Sequence, residues 1–259
     1  MTKIGFLGFG NMATAIAKGL VQKGGFLGEN IFAYDILQEK LQQSCELFGT
    51  NHCVSAEELV EKSDLIIVAV KPYQVEKVLK PLQKLLQGKV VLSIAAGIYF
   101  EDLEKFIPNC HHISTIPNTP ISVGEGIFIC EKRNSLSVEE FDEIKTILSP
   151  ISEVIEMDTE LFNIGGTLAG CGPAFAAMFI EALADAGVKN GLPRAFAYKL
   201  ASKMLAGTAK MQLESQTHPA ILKDTVCSPG GTTIRGVAAL EEFGMRNAVI
   251  KAIDASTNG

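Results

Sequence analysis

Two glycine-rich stretches carry residue types and spacings suited to binding anions. The first, GFLGFGNMA at residues 5–13, places Gly8, Gly10, Asn11, Met12 and Ala13 between a short apolar run and an amphipathic segment. Strand, glycine turn, helix is the context in which G-x-G-x-x-A holds a dinucleotide. Gly8 permits the tight turn, Gly10 lets the backbone approach a pyrophosphate, and Ala13 lets the helix pack closely on the strand. The helix start adds free N–H groups and the positive end of its dipole. Asp35, in IFAYDILQEK, ends the next apolar run. A carboxylate there binds the adenosine ribose hydroxyls and repels a 2′-phosphate. No Arg follows closely and Lys40 is the nearest cation, so these residues favour NADH over NADPH. Further on, VAVKP, SIAAG and TIPNTP each end a predicted strand, where the ligand crevice of an open parallel sheet lies. Val70, Lys71, Pro72, Ala96 and Asn118 fall there. Lys71 and Asn118 are placed to contact ribose or the nicotinamide amide, and both also fit ordinary strand-to-helix turns.

The second stretch is VCSPGGTTIRGVAALE, residues 226–241. Ser228-Pro229-Gly230-Gly231 can make a tight turn, after which Thr232 and Thr233 open a helix whose free N–H groups would grip a carboxylate. Either threonine adds a hydroxyl. The alternative is an ordinary N-cap in which a threonine satisfies backbone donors. Two anion sites in one chain imply two ligands, the second being the one transformed.

The elements that must position these loops divide the chain. Up to residue 158, apolar runs (KIGFLG, IFAYD, DLIIVAV, VVLSIAA, HHISTIP, GIFICE, EVIEM) alternate with helical patterns. Ser55 and Glu58 read as a capping box opening one of these helices. Near-continuous hydrophobic strands between amphipathic helices imply a parallel sheet covered on both faces. We therefore expect a dinucleotide-binding domain over 1–158 and an all-helical domain over 159–259. From Pro173 onward the sequence is Ala-, Leu- and Met-rich with helical period, punctuated by Gly187, Gly191 and Pro193. Helices apolar around their whole circumference must be buried, and the expected burial surface is a second copy, giving a homodimer.

Composition narrows the class. The 259 residues are 47% hydrophobic and 20% charged, with net charge −6; the absence of a basic stripe argues against nucleic acid. The N-terminus lacks a secretory pattern and no apolar run reaches spanning length, so a soluble, cytoplasmic protein with no membrane partner is expected. Six cysteines are scattered singly, without zinc-ligand spacing, and read as reduced thiols. His111 and His112 point to opposite faces of a strand, so no metal site is expected.

Together these stretches resemble the pyrroline-5-carboxylate reductases. The resemblance covers essentially the whole chain, from GFLGFGNMATAI through VKP, SIAAGI and IPNTP to GCGPAFAAMFIEALADAGVKNGLPR and VCSPGGTTIRGVAALE, the last two blocks being the most specific. It implies a Rossmann-type doubly wound α/β sheet followed by an all-α dimerisation domain interlocked with its partner. It implies reduction of 1-pyrroline-5-carboxylate to L-proline with NADH or NADPH, the last step of proline biosynthesis. Dimers in this family often assemble into pentamers of dimers. The match points to Ser228, Gly230, Gly231, Thr232 and Thr233 as substrate-binding, with Thr233 near the ring nitrogen as the catalytic residue.

The chain departs from the family in two places. Gly170-Cys171-Gly172-Pro173 stands where Gly-Ser-Gly-Pro is usual, and Gly166, with Thr167 beside it, replaces a threonine. Cys171 at a helix start invites a nucleophile reading, but hydride reduction of an imine needs no covalent intermediate, so a packing role is expected. A β-hydroxyacid dehydrogenase would carry a lysine on the first helix after the domain junction, and PAFAAMFIEALADAGVK has none before Lys189. A non-catalytic nicotinamide-binding protein would have no use for an intact SPGGTT loop.

Overall fold

The computed structural model describes residues 2–257, which form two compact units divided after Gly170. The first is built on eight strands: β1 (Ile4–Leu7), β2 (Ile31–Tyr34), β3 (Asn51–His52), β4 (Leu65–Val68), β5 (Val90–Ser93), β6 (His111–Pro117), β7 (Gly126–Glu131) and β8 (Ser152–Met157). They form one sheet in the order β3-β2-β1-β4-β5-β6-β7-β8. Strands are added outward from β1 on one side as β2 and β3 and on the other from β4 onward, so the strand order reverses between β1 and β4, the switch point at which open α/β sheets bind ligands. Register makes this edge level: Leu7 lies opposite both Tyr34 and Val68, and Val68 opposite Ser93. Gly8, Asp35, Ala69 and Ile94 therefore emerge side by side.

Strand residues alternate between the two faces, and each face has its own core. Phe6, Ile67 and Leu92 pack with Ile16 and Leu20 of α1 (Asn11–Gln22) and with Ile144 and Leu148 of α6 (Val138–Leu148). Leu7, Ile66 and Val91 pack against α3 (Ala56–Lys62), α4 (Pro72–Leu82) and α5 (Phe100–Phe106) through Leu59, Leu79 and Leu103. Helix α2 (Gln38–Phe48) follows β2. The expected capping box at α3 is half formed. Ser55 Oγ accepts from the Glu58 N–H at 3.1 Å, but the Glu58 carboxylate reaches back to Val54 N–H at 2.7 Å.

The sheet is not parallel throughout, because β6 and β7 pair antiparallel. Residues 118–125 between them are too few for the crossover of about a dozen residues that a parallel neighbour needs.

Helix α7 spans Thr159–Lys189, correcting the expectation that this helix opens at Pro173. Proline in a helix interior removes the N–H that would bond the carbonyl four residues earlier, here that of Ala169. The side chain of Asn118 supplies the missing donor, Nδ2 to Ala169 O at 3.2 Å, while its Oδ1 accepts from Ile127 N–H at 2.9 Å. Cys171 is thus a mid-helix residue, and the argument from a helix N-terminus does not apply to it. The first turn of α7 is tied down as well. Thr159 Oγ1 donates to Glu131 at 2.7 Å, and the other oxygen of this buried carboxylate accepts from Phe100 N–H at 2.8 Å. At Gly166 a Cβ would lie 2.3 Å from the Ile116 methyl, so isoleucine fills the space of the missing threonine side chain.

The second unit holds the rest of α7, α8 (Arg194–Ser215), α9 (Pro219–Thr225), α10 (Thr232–Glu242) and α11 (Met245–Thr257). In one copy its buried apolar residues among those described are Ala184, Ala197 and Ala201, while Met178, Phe196, Leu200, Leu213 and Phe243 are exposed. Contrary to expectation, one helix among the described residues, α7, is long and apolar enough by length and composition to cross a membrane.

His111 and His112 do face apart. His111 is exposed and bonded to Glu140 at 2.6 Å, whereas His112 is fully buried, with Nε2 3.0 Å from Glu104 and Nδ1 unpaired. Cys45, Cys53, Cys110 and Cys130 are buried free thiols; burial pushes Cys130 up to about 12. Burial also holds the His112 imidazole below its ordinary 6.5, against the opposing pull of Glu104. The unfolded chain therefore takes up this proton first, and stability should fall as pH drops below about 6.5. Urea denaturation across that range should show a shallower decline in His112→Leu than in the wild type; parallel declines would exclude His112 as the source.

Candidate active site

At the carboxyl end of β1 the backbone turns sharply through Gly8, whose φ of +89° suits only glycine. A Cβ there would also lie 2.9 Å from the carbonyl oxygen of Ala69. The Gly8 N–H donates to Tyr34 O at 2.8 Å, binding the turn to the end of β2. Gly10 occupies the N-cap of α1 with no side-chain cap and no acid in the first turn. A Cβ on Gly10 would meet nothing within 4 Å, so open space faces this backbone. An uncapped helix start with room for close approach is a cradle that fits a pyrophosphate.

Asp35 completes the turn from the other side. Its Oδ2 accepts from Phe9 N–H at 2.8 Å and its Oδ1 from Leu37 N–H at 2.9 Å, while Gln38 Nε2 donates to the Asp35 carbonyl at 2.7 Å. Lys71 is the N-cap of α4 with Pro72 at the first helical position; the Lys71 N–H is satisfied by Gln74 Oε1 at 3.2 Å. A cavity of ≈ 700 Å³ opens over this edge, within the range of cofactor sites. Of the expected residues, Gly8, Gly10, Asn11, Met12, Asp35, Val70, Lys71, Pro72 and Ala96 line it. Ala13 does not. It is buried against the sheet, as a helix-packing alanine should be. Asn118 does not line it either; it is 5% exposed and turned toward Ile127 and Ala169, and its neighbour Thr119 faces the cavity instead. Tyr34, Ile36, Leu37 and Gln74 also line the space. The signal for them was their adjacency to strand ends that the register makes level.

In the second unit, Ser228–Gly231 forms a β-turn closed by Gly231 N–H to Ser228 O at 3.0 Å, with Gly230 at φ +69°. Proline second and a left-handed glycine third define a type II turn. A Cβ on Gly231 would lie 3.0 Å from the Ser228 carbonyl oxygen, so the turn is tight at this position, while the left-handed φ makes Gly230 the one that suits only glycine. Helix α10 begins at Thr232 with Gly231 as N-cap, without a side-chain cap or an acidic residue in its first turn. Thr232 and Thr233 are exposed. The capping-threonine alternative is not adopted, and the N–H groups of this helix start are left available to an anion.

Residues 3–97 match the family described as NADP oxidoreductase, coenzyme F420-dependent, and residues 159–259 match that described as pyrroline-5-carboxylate reductase dimerisation. The pyrroline-5-carboxylate reductase of Treponema pallidum (strain Nichols) is 48% identical over 98% of both chains. That of Escherichia coli K12 is 40% identical over 97% of this chain and 94% of its own. The chain belongs to the pyrroline-5-carboxylate reductase family. A solved Plasmodium falciparum pyrroline carboxylate reductase with NADP bound superposes with a TM-score of 0.90 at 32% identity, covering 99% of this chain and 96% of that one. The family's dimerisation match begins at Thr159, the first residue of α7, and accounts for the apolar side chains that a single copy leaves exposed.

Asn118 compensates for Pro173, so the two should be coupled. Asn118→Ala leaves Ala169 O and Ile127 N–H without their partner and should cost about 1–3 kcal/mol of stability. In a Pro173→Ala background, where the helix can supply its own donor to Ala169 O, the cost should shrink by about 1 kcal/mol. Urea denaturation of the four proteins checks this; strict additivity would contradict it.

Proposed function

We propose that this protein reduces 1-pyrroline-5-carboxylate to L-proline with NADH or NADPH, as the last step of proline biosynthesis. The observation that carries the reading is the uncapped start of α10 behind the Ser228–Gly231 turn, in a chain that also has a dinucleotide cradle.

The nicotinamide, when bound, supplies a hydride to the imine carbon. The chain's own residues bind and orient. Gly8, Gly10, Asn11 and Met12 hold the pyrophosphate, with Ala13 allowing α1 to sit close, and Asp35 takes the ribose hydroxyls. Val70, Lys71, Pro72 and Ala96 form the wall of the cofactor crevice. Asn118 acts through its neighbour, holding the segment that carries Thr119. Ser228, Gly230, Gly231 and Thr232 hold the substrate carboxylate, where helix N–H groups favour negative charge. Thr233 places its hydroxyl by the ring nitrogen and helps to keep or deliver the proton there. A protonated cyclic imine is a ready hydride acceptor, so alignment is the main demand.

We read residues 1–158 as the dinucleotide-binding domain and 159–259 as the dimerisation and substrate domain. The exposed apolar residues of α7 and α8 support an intimate homodimer, which can assemble further into a pentamer of dimers. We place this soluble enzyme in the cytoplasm, with no nucleic-acid or membrane partner.

Loss of reduced-nicotinamide absorbance on adding pyrroline-5-carboxylate tests the reaction, and no loss with either cofactor would refute it. Thr233→Ala should lower kcat/KM for the imine by at least about tenfold with cofactor affinity unchanged; unaltered kinetics would remove Thr233 from the mechanism. Light scattering should give a mass of at least two copies, and a monomer at micromolar concentration would contradict the burial argument.

A further inference from the structure

We infer that Asp35 has two linked duties, fastening the glycine turn and excluding a 2′-phosphate, and that the protein therefore binds NADH in preference to NADPH. This rests on the proposed reading of the β1 cavity as the cofactor crevice. A carboxylate at the end of β2 is by itself a weak guide, because a side chain free to swing aside can admit a phosphate. Here it is not free. One oxygen is held by Phe9 N–H and the other by Leu37 N–H, and Gln38 fixes the backbone of the same residue. Turning the carboxylate away would break both bonds and release the turn that shapes the pyrophosphate cradle.

The two side chains that follow Asp35 directly offer a phosphate little. Ile36 and Leu37 follow Asp35 directly, are 75% and 56% exposed, and line the same cavity. Large aliphatic groups beside the ribose position suit the face of an adenine ring and donate no hydrogen bond. The nearest cation, Lys40, lines an adjoining cavity of ≈ 500 Å³ with Asp35, Thr14 and Ser44. A 2′-phosphate drawn toward Lys40 would still have to lie against a fixed carboxylate. The related Plasmodium falciparum structure has NADP bound, so this preference would set the chain apart from that relative.

The double duty predicts an asymmetry between substitutions. Asp35→Asn keeps an acceptor for a backbone N–H and removes the charge, whereas Asp35→Ala removes both. Calorimetric titration of the full-length protein with NADH and with NADPH, imine absent, tests this. The wild type should bind NADH at least about tenfold more tightly. Asp35→Asn should narrow the ratio to about threefold or less, chiefly by improving NADPH binding, and Asp35→Ala should weaken both. NADPH binding as tight as NADH in the wild type would overturn the inference and leave the proposed reaction standing. NADPH binding abolished by Lys40→Ala would likewise overturn it, by showing that Lys40 holds the phosphate. Failure of both nucleotides to bind would overturn the proposed function itself. The wild-type comparison stands even if a variant fails to fold.

Discussion

The hydrogen bond from Phe9 N–H to the Asp35 carboxylate is the contact on which the first unit's ligand edge depends. Two strand ends are fastened there within a few residues, since Gly8 also donates to Tyr34 O. The turn can close only because Gly8 adopts a left-handed conformation against the Ala69 carbonyl. That approach is possible only because β1, β2 and β4 end level. With the turn closed, Gly10 faces open space and the start of α1 is left without a side-chain cap. An anion is then the natural partner for its N–H groups. The second glycine-rich loop is built by a different route: a proline and two glycines make a type II turn that leaves the start of α10 equally bare.

Between these loops in sequence lies α7, and its first half is held by two buried polar side chains. Glu131 takes Thr159 at the helix start, and Asn118 takes the Ala169 carbonyl that Pro173 cannot serve. Buried polar groups persist when each finds a partner and are costly when one does not. Asn118 satisfies the sheet and the helix at once and lies next to Thr119 at the crevice wall. The proline costs the helix a donor only formally, because a neighbouring strand end returns it.

Much of this was legible in the sequence, for local reasons. The glycine turn, the strand ends and the SPGGTT turn each need particular residue types at fixed offsets, and those offsets are visible without coordinates. What escaped reading depends on long-range partners. Pro173 looked like a helix start because nothing nearby in sequence reveals that Asn118, far upstream, supplies its missing bond. Asn118 ends a strand as a ligand residue would, yet the β6–β7 pairing turns it inward. The antiparallel reversal itself follows from the short 118–125 connection, a matter of chain length and not of hydrophobic pattern. Gly166 in place of a threonine makes sense only beside Ile116. The length of the apolar helix was hidden by isolated polar residues on a 31-residue span.

The central claim is that a hydride passes from a reduced nicotinamide to the imine carbon of a cyclic imine. Incubating the protein with pyrroline-5-carboxylate and reduced nicotinamide cofactor deuterated at the transferring position, then locating the label by NMR, tests this most directly. The account predicts deuterium in proline on the ring carbon that was doubly bonded to nitrogen. Unlabelled proline, or label at any other carbon, would contradict it.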